Sequence, residues 1–129
     1  GALGIDTWAA SYALDNHIPL ALTIPFPVEV MAKKWSEADK AILQHHADEA
    51  DVLTIIRPNG GYDVAGYQER NEDMVNSADA VLAFWSGKRA GGTFNCVRYA
   101  LGKKPVINLW NGSPMLLQPH NPDQQKLAL

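Results

Sequence analysis

Ala80-Val81-Leu82-Ala83-Phe84-Trp85 is the most continuous apolar run in the chain, and Ser86-Gly87-Lys88-Arg89-Ala90-Gly91-Gly92 follows it directly before Thr93 opens a helical pattern. An apolar run bounded by Asp79 and Ser86 suits a central strand covered on both faces. The helix expected from Thr93 carries Val97, Tyr99, Ala100 and Leu101 and stops at Gly102, and Pro105-Val106-Ile107-Asn108-Leu109-Trp110 reads as a last strand.

Working back from this unit, residues 66–77 place Tyr67, Arg70, Met74 and Val75 at helical spacing on one face. Val52-Leu53-Thr54-Ile55-Ile56 is β-branched and apolar and ends at the turn-rich stretch Arg57-Pro58-Asn59-Gly60-Gly61-Tyr62-Asp63. Ser36 with Asp39 three residues later starts a helix that runs to about Glu49, with Ala38, Ala41, Ile42, Leu43 and Ala47 as its apolar stripe. Leu20-Ala21-Leu22-Thr23-Ile24 is a short strand stopped by Pro25 and Pro27. Asp6 caps a first helix of small and apolar residues that ends near Asn16. Strands and helices that alternate in this way call for parallel strands joined by right-handed crossovers. The expectation is a three-layer, Rossmann-like α/β fold with a mainly parallel sheet, over residues 1–110, followed by a polar tail over residues 111–129. The turn Gly1-Ala2-Leu3-Gly4 takes the place that follows a strand in such folds, so a strand-helix-strand segment is expected to precede it.

The composition is that of one globular domain: 129 residues, 47% hydrophobic and 19% charged. A single cysteine, Cys96, excludes an internal disulfide framework and favours the cytoplasm. Charged and amide residues interrupt every apolar stretch, so no membrane span is expected. A net charge of −3 argues against indiscriminate binding to nucleic-acid backbone. Apolar residues of the tail, Met115, Leu116, Leu117, Leu127 and Leu129, and an open sheet edge favour a homo-oligomer.

Ligands of open parallel sheets sit beyond the carboxyl ends of the strands. There the loop from Gly87 to Thr93 aims backbone amides at any anion resting on the following helix, with Lys88 and Arg89 adding positive charge. Gly91 and Gly92 leave room for a phosphate to touch the backbone, and Thr93 offers a hydroxyl; the same residues would also serve as a plain helix entry. The pattern is not a P-loop, which needs a lysine before the threonine. Gly1, Gly4 and Asp6 form a second candidate loop. Arg70 on an inward helix face, with Asn71 beside it, suits a phosphate, or else a salt bridge to Glu69, Asp73 or a neighbouring loop. Trp85 and Trp110 end two strands, where a base or the core can take them. The adjacent His45 and His46 point about 100° apart, so they do not chelate one metal together. These two and His17 and His120 read as surface residues, and Cys96 as a buried structural thiol. Neither metal nor cofactor is called for.

Four stretches, Gly1 to Ala10, Tyr67 to Val75, Ser77 to Leu82 and Gly91 to Cys96, together resemble the SLOG superfamily. This group includes the YpsA-like proteins, the DNA-processing protein A and the Lonely Guy phosphoribohydrolases. The order and spacing are most similar to the YpsA-like branch, which bacteria and phages carry. The resemblance implies a Rossmann-like pocket for a nucleotide or nucleotide derivative, with roles for Gly1, Gly4, Arg70, Asn71, Gly91, Gly92 and Thr93; Asp6 and Asn95 join these as candidate ligand-binding residues. In the phosphoribohydrolases an Arg-x-x-x-Met stretch works with a glutamate after the glycine loop. Arg70 and Met74 fit the first part, but Phe94, Asn95, Cys96 and Val97 supply no carboxylate for the second. A hydrolase would need Asp6, Glu69 or Glu72 as a substitute. The DNA-processing branch implies single-stranded DNA as a partner, a weaker reading for an acidic chain with scattered Lys and Arg.

Overall fold

In the computed structural model, which describes residues 2–118, helices and strands alternate in the expected order, with two additions. The chain forms two compact units, Gly1–Arg70 and Asn71–Leu129.

The first unit contains α1 (Ile5–Asp15), β1 (Ala21–Ile24), α2 (Val28–Met31), α3 (Glu37–Glu49), β2 (Val52–Ile55) and the first part of α4 (Val64–Ser77). β1 and β2 pair in parallel, from Ala21 opposite Val52 to Ile24 opposite Ile55. Ser36 is the N-cap of α3, its hydroxyl accepting the Asp39 N–H at 3.1 Å. α2 is the first addition: Pro27 stops the strand but also starts a single helical turn, accepting the Met31 N–H at 2.9 Å. The N-cap of α1 is Gly4 rather than Asp6, which lies within the first turn. The core gathers Leu22, Ile24, Phe26, Met31, Ala32, Leu43 and Ala47. Each large side chain buried there contributes about 1.5–3 kcal/mol. Gly66 lets α4 approach this core, since a Cβ at that position would lie 2.7 Å from two carbons of the Phe26 ring.

The second unit contains β3 (Val81–Ala83), α5 (Gly92–Ala100), β4 (Val106–Asn108) and β5 (Met115–Leu116), together with the rest of α4. β3 and β4 are parallel, with Val81 opposite Val106, while β5 runs antiparallel to β4, with Ile107 opposite Leu116. β5 is the second addition: the segment read as a polar tail supplies a strand and then the buried Leu117. The apolar core here is Val75, Ala83, Trp85, Val97, Ala100, Val106 and Leu117.

The expectation of a central strand covered on both faces is corrected. Among the described residues β3 pairs with β4 alone, and Leu82 is 67% exposed. An unbroken apolar run therefore does not identify a doubly covered strand. No helix among the described residues is long and apolar enough to cross a membrane.

Candidate functional site

The loop after β3 is held from two sides. The Trp85 N–H donates to Asn108 Oδ1 at 3.0 Å, and Asn108 Nδ2 donates to the Trp85 carbonyl at 2.9 Å. This side-chain amide, 1% exposed, adds one more rung where the β3–β4 ladder ends. It also accepts the Trp110 N–H at 3.2 Å. Farther along, the Trp85 indole N–H donates to the Lys88 carbonyl at 2.9 Å, pinning the middle of the loop. Trp85 is thus a core and loop-bracing residue, stacked on Phe94 with centroids 5.9 Å apart. Trp110 is half exposed. Asn108 carried no signal in the sequence beyond its place in a strand.

This bracing delivers Gly91 to the start of α5. Gly91 is the N-cap, with φ 92° and ψ 177° and no side-chain capping bond. Such a backbone is nearly restricted to glycine. A Cβ built on Gly91 or on Gly92 would meet no atom within 4 Å, so the helix start opens onto free space. Thr93 is exposed beside it, and Asn95 is half-buried one position past Phe94. The first amides of a helix carry roughly half a positive charge, and Gly91, having no side chain, caps none of them. Lys88 and Arg89 lie exposed in the preceding loop. Asn71, on α4 in the same unit, is buried.

In the first unit the Gly4 turn is closed by its own side chains. Asp6 Oδ2 accepts the Ala2 N–H at 3.3 Å, and the Thr7 hydroxyl donates to the Ala2 carbonyl at 3.0 Å. Gly4 takes a positive φ of 90°. Gly1 lies outside the described residues, as does His120. Arg70 is buried, 7% exposed, with its guanidinium 5.8 Å from the centre of the Tyr67 ring. Glu69 faces another arginine: Arg57 donates to it at 2.5 and 3.1 Å and to Asp63 at 2.8 Å. These bonds hold the Glu69 carboxyl below its usual range. The Ala65 N–H and then Arg57 do the same for Asp63, and Arg57 itself is pushed up.

Beyond the ends of β1 and β2, Phe26, Tyr62 and Tyr67 form an aromatic cluster with centroids 5.6 to 5.8 Å apart. Burial, and then the Tyr62 hydroxyl, push the Tyr67 hydroxyl up against the opposing pull of Arg70. Spacing gave no sign of this cluster, because its members come from three separate segments.

The histidines need one correction. His45 and His17 are exposed, but His46 is buried, 3% exposed, with its Nε2 2.9 Å from the Ser11 hydroxyl. Packing of α1 on α3 encloses it. Cys96 is half-buried rather than fully enclosed. Among the described residues no three His, Cys, Asp or Glu side chains are placed to hold a metal ion.

The model of the YspA SLOG family, the YpsA-like branch, matches residues 1–103. The chain belongs to the YspA SLOG family. This SLOG chain is also similar to YoqJ, an uncharacterized protein derived from the SPbeta prophage of Bacillus subtilis strain 168. The two are 29% identical over 129 residues, spanning 88% of this chain and 74% of the relative. Membership in the SLOG family points to nucleotide-related binding or processing in general.

Proposed function

We propose that this protein, as a three-layer Rossmann-like SLOG domain, binds a nucleotide or nucleotide derivative in the cytoplasm. Its phosphate rests on the amides of Gly91, Gly92 and Thr93 at the start of α5. Asn95 and Asn71 contribute polar contacts, Arg70 clamps the anion, and Gly1, Gly4 and Asp6 take up the sugar or base. The observation that carries the reading is the Gly91 N-cap: a positive-φ glycine without a side-chain cap, opening a nine-residue helix into free space.

Binding rather than turnover is the core of the proposal. Of the carboxylates that could replace the missing glutamate, Asp6 accepts a bond from Ala2 and Glu69 is paired with Arg57. Single-stranded DNA remains the weaker partner for a chain of net charge −3. The exposed Leu82, Met115 and Leu116 support a homo-oligomer, for which light scattering should give a multiple of the single-chain mass.

The test is calorimetric titration with nucleoside mono- and diphosphates, cyclic nucleotides and ADP-ribose. Saturable binding by at least one of them, weakened by Arg70→Ala, is expected. Failure of the whole panel to bind would overturn the reading.

A further inference from the structure

We infer that the outer side of α1 is a dimer interface, on which α1 of a second copy of this chain packs antiparallel. This deepens the homo-oligomer proposed above and rests on it. Among the helices longer than one turn, α1 is the most apolar and the least one-sided. Its inner side is accounted for: Ala10 is buried, Ala13 and Leu14 are half-buried, and Ser11 meets His46 of α3. Its outer side carries Ile5, Trp8, Ala9 and Tyr12, a single row at helical spacing in which every member is exposed. Trp8 is 67% and Tyr12 63% exposed. A helix that is apolar all round is ordinarily covered all round.

The size of the row fits a second copy. Ile5, Trp8, Ala9 and Tyr12 together leave on the order of 400 Å² of apolar surface in water, comparable to the largest patch on a typical monomer. Two copies facing each other remove about twice that area, and at the usual apolar share of about 60% the whole interface reaches about 1,300 Å², within the range of specific, stable complexes. Trp and Tyr are also the side chains that dominate the energetics of such interfaces.

The row is also self-complementary about a two-fold axis between Trp8 and Ala9. Antiparallel pairing sets Trp8 against Ala9 of the partner subunit, the largest side chain of the row against the smallest, and Ile5 against Tyr12 of the partner subunit. No charged residue lies from Thr7 to Leu14, so two chains of net charge −3 meet over a neutral seam. Parallel pairing would bring the two Asp15 carboxylates together, whereas antiparallel pairing keeps them at opposite ends.

The experiment is sedimentation equilibrium of the full chain over a wide concentration range. The wild-type chain should dimerise, and Trp8→Ala should weaken the dimer by about tenfold or more. Ile5→Lys and Tyr12→Glu should each weaken it too. The double variant should recover most of that loss, because every new cation then faces a new carboxylate of the partner subunit. Far-UV circular dichroism should match the wild type in every variant, and if Trp8→Ala alone lost helical signal the charge-swap series would decide. A Trp8→Ala dimer as tight as the wild type, or a double variant no tighter than the single ones, would overturn the α1 interface while leaving the homo-oligomer intact. A wild-type chain that stays monomeric throughout would overturn both, and would assign the row to a different protein or to another part of this chain.

Discussion

Asn108 grips the backbone of Trp85 with both ends of its side-chain amide, donating to the carbonyl and accepting from the N–H. Both groups sit in the interior, where a lost partner is not replaced by water. The pair joins the ends of β3 and β4, and through the Trp85 indole it reaches Lys88 in the loop that leads to Gly91. The position of the proposed phosphate site thus depends on a buried residue whose side-chain amide is committed to the backbone of Trp85 and Trp110.

Replacing Asn108 by Ala should destabilise the protein by about 2–4 kcal/mol, because two buried backbone groups lose their partners at once. Urea unfolding should show a lower midpoint with an unchanged slope, and an unchanged midpoint would contradict the role assigned to the clamp.

Gly91→Ala isolates the backbone at the start of α5. The added methyl group meets open space, so any cost comes from the positive φ and not from a clash. Stability should fall by about 1–3 kcal/mol, and nucleotide affinity should fall by more than in Thr93→Val, which leaves the backbone as it is. Thermal melts and calorimetry on the same samples separate the two effects.

Gly66→Ala has the opposite character, because its methyl group would collide with the Phe26 ring. A loss of about 1–3 kcal/mol is expected from overpacking. Combining it with Phe26→Leu should recover part of that loss, and a strictly additive double variant would show that the two sites do not meet.

The His46 imidazole is held below the ordinary histidine range, chiefly by burial and then by the neighbouring His45. Its folded-state pKa lies below the unfolded one, so its contribution to stability is complete above the unfolded value of about 6.5. As pH falls through that value the unfolded chain takes up the extra proton, and stability declines until the folded pKa is reached. Melting temperature should therefore drop between about pH 7.5 and about pH 5.5, and less steeply in His46→Gln. Equal slopes for the two proteins would remove His46 as a source of the pH dependence.

The order of elements was legible wherever the signals act over one helical turn or one strand. Ser36 with Asp39 marked the start of α3 to within a residue, and the glycines at 91 and 92 marked the entry to α5. The short α2 was missed because Pro27 is equally a strand breaker and a helix starter. The β5 strand was missed because three apolar residues, Met115 to Leu117, in a polar, proline-containing segment carry no period. At the site, Gly91, Gly92 and Thr93 were readable as neighbours on one loop, whereas the Phe26–Tyr62–Tyr67 cluster was not.

By itself, then, the sequence determined the alternation of helices and strands, the parallel pairing, the SLOG membership and the glycine loop at the start of α5. Each follows from propensities, caps and motifs that are local in the chain, or from the order in which those local signals occur along it. The tertiary structure alone decided that His46 is enclosed by Ser11, that Leu82 faces outward and that Gly66 accommodates Phe26. It also decided that Asn108 fastens Trp85. These outcomes depend on partners brought together from distant parts of the chain: Ser11 and His46 are 35 positions apart, and Trp85 and Asn108 are 23 apart. Burial and hydrogen bonding between such residues are properties of packing, which no local pattern encodes.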